Sequence, residues 1–163
     1  MVSQNIEEAL NDLWRVLHRH LLKIGADPED ARDIVQEAMY KWLLYAESVN
    51  IERVPAWLFR VTMNLYYDQY RKKQRRVFID LDEALLIDFE TPEAHLLRKD
   101  NREQIQKTLE SLPLIQQHLL VMKYSEFMSY AEISILLGMP ISTITTYLQR
   151  ARLNFRRIYK EES

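Results

Sequence analysis

Apolar residues recur every three to four positions through most of the chain. Ile6, Leu10, Leu13, Leu17 and Leu21 form one such stripe and predict a first helix that stops near Gly25. Asp27-Pro28-Glu29-Asp30 then reads as a helix start, with an N-cap, a proline at the first helical position and acids in the first turn. Ile34, Ala38, Trp42 and Tyr45 supply the buried stripe of this second helix. Residues 47–54 read as a connection. Pro55 opens a third helix with Leu58, Val61 and Leu65 as its apolar line.

Residues 77–90, VFIDLDEALLIDFE, keep neither a helical nor an alternating period, and read as a linker with at most one short helical turn. Thr91-Pro92-Glu93 starts a further helix through Leu96, Leu97, Ile105 and Leu109, and Pro113 interrupts it. Leu119, Leu120 and Met122 continue in a short helix. Ser129 three residues before Glu132 is a capping box. Behind it Ile133, Leu136 and Leu137 make a short apolar helix, which Gly138 ends. Pro140 precedes a longer helix with Ile144, Leu148, Ala151 and Phe155 on one face. Short helix, glycine turn and longer helix predict a helix-turn-helix; a plain helical hairpin is the alternative. The fold class is therefore all-α: two small helical lobes, 1–76 and 92–163, joined by an acidic linker, 77–91, with the helix-turn-helix in the second lobe.

Composition supports this and narrows the function. Only 2 of 163 residues are glycine, which argues against many hairpins. Cysteine is absent, so disulfides and thiolate metal sites are excluded. The opening MVSQNIEEAL is polar and acidic rather than signal-like, and no apolar run approaches the roughly 20 residues that span a bilayer. A cytoplasmic protein without membrane insertion is expected. Net charge is −2, but residues 77–110 hold 4 Lys and Arg against 9 Asp and Glu, whereas residues 111–163 hold 6 against 4. Basic surface is thus local, narrower than a protein binding DNA unaided usually carries.

Three stretches carry candidate chemistry. Asp30, Asp33 and Glu37, with Gln36 between, fall on one helix face; they read as a solvated face, a metal site or a protein-docking patch. His18, His20, His95 and His118 lack metal-ligand spacing, and no phosphate loop or nucleophile elbow occurs, so no metal, cofactor or catalytic residue is assigned. NLYYDQYRKKQRR, residues 64–76, joins three tyrosines to five cations. With Trp57 and Asn64 ahead of the cations it has what single-stranded nucleic acid needs: stacking surfaces, a polar group for a base edge, and charge for the backbone. A solvated helix end and a membrane-surface helix are the other readings, and Tyr66 and Tyr70 either stack on DNA or pack inward. On the last helix, Ser142, Thr145, Thr146 and Gln149 lie outward and suit bases, while Arg150, Arg152, Arg156 and Arg157 suit phosphates; a solvated amphipathic helix whose basic end answers the helix dipole is the other reading.

Taken in order, these segments resemble the sigma-70 family of bacterial sigma factors, in its extracytoplasmic-function subgroup. DPEDARDIVQEAMYKW is similar to the segment that docks on the clamp helices of RNA polymerase. PAWLFRVTMNLYYDQYRKKQRR is similar to the segment that melts and reads the −10 element. LPLIQQHLLVMKYSEFMSYAEISILLGMPISTITTYLQRARLNFRR is similar to the −35-binding domain.

The resemblance implies an alternative sigma factor rather than an enzyme, with core RNA polymerase, promoter DNA and an anti-sigma factor as partners. It makes Asp30, Asp33, Gln36 and Glu37 the polymerase face. Trp57, Arg60, Asn64, Arg71, Lys72, Arg75 and Arg76 become the −10 set, with Asn64 and residues 47–54 around a flipped base. Ser142, Thr145, Thr146, Gln149, Arg150 and Arg152 become the −35 set. The acidic linker would thread a basic polymerase channel. Two departures stand out. The family often has Lys at the position of Thr145 and Arg at that of Tyr147, so a different −35 preference is expected. Its loop before Trp57 is often longer or carries glycine, where this chain has Val49-Asn50-Ile51-Glu52. The rival reading is a free-standing helix-turn-helix regulator binding DNA as a dimer.

Overall fold

The computed structural model describes the backbone of residues 2–73 and 102–162, and the side chains of 4–69 and 102–162. The linker, the helix start at Thr91-Pro92-Glu93, and Arg75 and Arg76 lie outside the described residues, as do the side chains of Arg71 and Lys72. The described residues are helical, with no strand among them. The chain forms two compact units, Met1–Val77 with Ile135–Gly138, and Phe78–Ser134 with Met139–Ser163.

In the first unit, α1 (Val2–Lys23), α2 (Pro28–Tyr45) and α3 (Val54–Lys73) pack against one another. Leu17 and Leu21 are fully buried, while Ile6, at the far end of the expected stripe, is 36% exposed. Gly25 has φ of 100°, and the Ala26 N–H reaches the Leu21 carbonyl at 2.9 Å, closing α1 with a left-handed cap. Asp27 caps α2 as its spacing predicts, its carboxylate accepting from the N–H groups of Glu29 and Asp30 at 3.1 and 3.4 Å. Ala46–Ser48 and Ile51–Arg53 form single 3-10 turns, the first starting one residue ahead of the expected connection. Ile34 and Ala38 are buried as expected. Tyr45 is not: it is 56% exposed, because α2 outruns the three-helix core before its last turn.

In the second unit, α4 (Arg102–Glu110) and α5 (Leu114–Leu120) pack on α7 (Ile141–Glu162). Pro113 separates α4 from α5, as expected. Val121–Ser125 is a π-helical turn, its wider pitch shown by Glu126 N–H to Val121 carbonyl at 3.0 Å. Across this turn Val121, Met122, Tyr124 and Ser125 are all buried. The following Phe127 has φ of 54°. The Ser129 hydroxyl then accepts the Glu132 N–H at 3.1 Å and starts α6 (Tyr130–Leu137). Gly138, at φ of 67°, ends it, and Met139 N–H closes back on the Ser134 carbonyl at 3.1 Å. The axes of α6 and α7 differ by 102°, within the range of a helix-turn-helix. Ile144, Leu148, Ala151 and Phe155 are buried along α7, the whole stripe that its spacing predicts.

Candidate nucleic-acid interface

The first unit carries two surfaces. On α2, Asp33, Gln36 and Glu37 are exposed and Asp30 is half-buried. Glu37 meets Lys41 one turn on, at 3.9 Å, a solvated pair of little energetic weight. The same outward face continues into Tyr40, Leu43 and Leu44, which are 62%, 65% and 63% exposed. Sequence reasoning missed these three. The signal was present, since Trp42-Leu43-Leu44-Tyr45 is apolar all round and a helix at the edge of a small core can bury only part of it.

On α3, Trp57, Arg60 and Asn64 share one face, three and four residues apart. Arg60 and Asn64 are exposed and Trp57 is half-buried. From Trp57 to Asn64 is two helical turns, about 10 Å of rise. Tyr45, a residue that the periodicity assigns to the core, lies instead against Trp57 with ring centroids 6.5 Å apart and planes tilted by 56°. The surface therefore offers an aromatic pair, a cation and a carboxamide in line. Tyr66 takes no part. It is buried, its hydroxyl donates to the Ile24 carbonyl at 3.4 Å, and its ring meets Tyr67 edge-on. Of the two uses open to it, packing is the one observed.

In the second unit, the outward face of α7 begins with Ile141, Ser142, Thr145, Thr146, Gln149 and Arg150, all exposed. Arg152 differs from them. Its guanidinium is half-buried, donates to the Tyr130 hydroxyl at 3.1 Å and lies over the Tyr124 ring, 5.7 Å from its centroid. Burial opposes the charge, but the Tyr130 hydrogen bond and the electrostatic pull of Tyr124 outweigh it, so its pKa is raised above the ordinary arginine value. Lys123 stands 4.7 Å above the Tyr130 ring. One arginine thus ties the first residue of α6 and the π-helical turn to α7. Neither tyrosine was singled out from sequence, because the contacts join residues 22 or more apart. Among the described residues, no group of three or more His, Asp or Glu is placed to hold a metal. No single described helix is long and apolar enough to cross a membrane.

The described residues are thus helical, with an exposed, uncharged first half of α7 in one unit and an aromatic–amide face on α3 in the other. Residues 6–76 match the family model described as Sigma-70 region 2, and residues 102–154 match that described as Sigma-70, region 4. The ECF RNA polymerase sigma factor SigW of Bacillus subtilis is 29% identical over 139 residues, covering 78% of this chain and 74% of its own length. RNA polymerase sigma factor YlaC of the same species is 28% identical, covering 96% and 88%. A co-crystal structure of the sigma factor RpoE with the anti-sigma factor NepR from Bartonella quintana is similar in fold, with TM-score 0.51 and 22% identity over 96% of this chain and 98% of that one. The chain belongs to the sigma-70 family, in its extracytoplasmic-function subgroup, and is an alternative sigma factor.

Proposed function

We propose that the chain divides its work as its sequence is divided: 1–76 docks on core RNA polymerase and reads the −10 element, 77–91 links, and 92–163 binds the −35 element. Asp30, Asp33, Gln36 and Glu37 make the polymerase face, extended by Tyr40, Leu43 and Leu44. Acids followed by exposed apolar residues on one helix suit a partner that is basic at one end and apolar at the other. Trp57, Arg60 and Asn64 engage the −10 strand, with Arg71, Lys72, Arg75 and Arg76 on its phosphates. Asn64 reads a flipped base, since its amide offers both a donor and an acceptor to an exposed pairing edge. Ser142, Thr145, Thr146, Gln149 and Arg150 face the −35 duplex, and Arg152 serves it by holding Tyr130. The protein makes and breaks no bonds of its own, works in the cytoplasm, and is held in check by an anti-sigma factor.

The observation that carries this reading is the outward trio Trp57, Arg60 and Asn64 on one face of α3 in a chain of this family. The test gives purified core polymerase a promoter library randomised in both blocks, with and without the protein. Protein-dependent transcripts that share two spaced elements are expected. Tight binding to duplex DNA by the protein alone, with no gain in transcription, would overturn the reading in favour of a free-standing regulator. On a recovered promoter, Asn64→Ala is expected to reduce permanganate reactivity of the −10 thymines while leaving polymerase binding intact. Loss of polymerase binding would mean that Asn64 acts elsewhere.

A further inference from the structure

The first nine residues of α7, ISTITTYLQ, carry no charge; its first cation is Arg150. Two of its outward side chains are threonines, and both have turned their hydroxyls back onto the helix. Thr145 Oγ1 donates to the Ile141 carbonyl at 2.9 Å, and Thr146 Oγ1 donates to the Ser142 carbonyl at 3.0 Å. A hydroxyl has one proton to give. With that proton engaged inside the helix, neither threonine has it free for a base, and beside the hydroxyl lone pairs each offers its Cγ2 methyl. Ile141, 49% exposed, stands one turn before Thr145 and extends the same row of methyl groups. Gln149 follows one turn after Thr145 and is exposed.

From these positions we infer that Ile141, Thr145 and Thr146 read thymine through its C5-methyl group, so that the upstream element of this sigma factor is specified by apolar contact at A·T pairs rather than by charged hydrogen bonding to guanine. This rests on the proposal above that α7 enters the −35 duplex. The major-groove edge of thymine is the one base edge that presents a methyl group. Over its first nine residues the face has no Arg or Lys for the common bidentate contact to guanine. Methyl against methyl gains by excluding water, as in any apolar burial. Gln149 complements the row, because a carboxamide pairs with adenine N6 and N7, the partner across from thymine. Arg150, the next residue, is then left for the phosphates beside the groove.

The experiment uses the holoenzyme, formed from core polymerase and the full chain. A duplex promoter library randomised over the upstream block is selected by binding. The recovered element is then resynthesised with deoxyuridine in place of thymidine, one position at a time, which removes a single methyl and keeps the pairing. Enrichment of A·T pairs is expected, with affinity falling about fourfold for each methyl that Ile141, Thr145 or Thr146 had covered. Thr145→Val and Thr146→Val, which keep shape and methyl, should preserve the preference for thymine over uracil. Thr145→Ser and Thr146→Ser, which keep only the hydroxyl, should abolish it at the matching positions. A recovered element led by G·C pairs, or equal affinity for the thymine and uracil duplexes, would overturn the inference while leaving α7 as the −35 helix. Recovery of no upstream element would instead overturn the −35 assignment, and the inference with it.

Discussion

Arg152 shows how far one side chain can depart from its sequence neighbourhood. It sits between Arg150 and the pair Arg156 and Arg157, all exposed, yet its guanidinium is engaged by Tyr130 and Tyr124. A phosphate contact and an internal brace make different predictions. Removing a phosphate contact lowers the dependence of log affinity on log salt by about 0.9. For Arg152→Met we expect weaker −35 binding by the holoenzyme with an unchanged salt slope. Tyr130→Phe should mimic it, and the double variant should be no worse than the stronger single one, with a coupling of about 1 kcal/mol. Additive losses, or a reduced salt slope, would place Arg152 on the DNA backbone instead. Leu17 and Leu21 gave no such surprise, because a long apolar side chain at the centre of a helix stripe has one favourable place to go.

Among the elements, the turn before the helix-turn-helix concentrates the sensitive positions. Ser129 satisfies an otherwise open N–H of α6, so Ser129→Ala is expected to destabilise the chain by about 1 kcal/mol, read by denaturant unfolding. Phe127 is the opposite case. It is 67% exposed, so it buries little, and its φ of 54° costs a non-glycine residue roughly 1–2 kcal/mol. Glycine removes that cost but gains freedom in the unfolded chain, worth about 0.4–1 kcal/mol. Phe127→Gly should therefore be neutral or slightly stabilising, an unusual outcome for removal of a phenylalanine, and a clear drop in the unfolding midpoint would show that the ring packs after all. Helix ends were legible here because caps are local: Asp27, Gly25, Ser129 and Gly138 all act within six residues of where they stand. The π-helical turn was not legible. Its residues 121–125 have an ordinary helical composition, and burying four of these five side chains at once is a matter of tertiary packing that local composition does not encode.

For the whole molecule, the α2 face offers a clean separation of stability from function. Glu37 is exposed and its pair with Lys41 is a surface pair, so Glu37→Ala should change the unfolding free energy by less than about 0.5 kcal/mol. Its affinity for core polymerase should fall several-fold, as measured by competition, and an unchanged affinity would remove Glu37 from the docking face. The described helices, their caps, the apolar stripe of α7 and the family itself could be read from residues in order, because each depends on neighbours within a turn or two or on a run of matched positions. Packing alone decided the rest. It left Tyr45 outside against Trp57, drew Tyr66 in to Ile24, extended the acid face of α2 with bare leucines, and committed Arg152 to two tyrosines. Each of those outcomes turns on which side chains far apart in sequence reach the same space, and periodicity states only which face a residue is on, not what waits there.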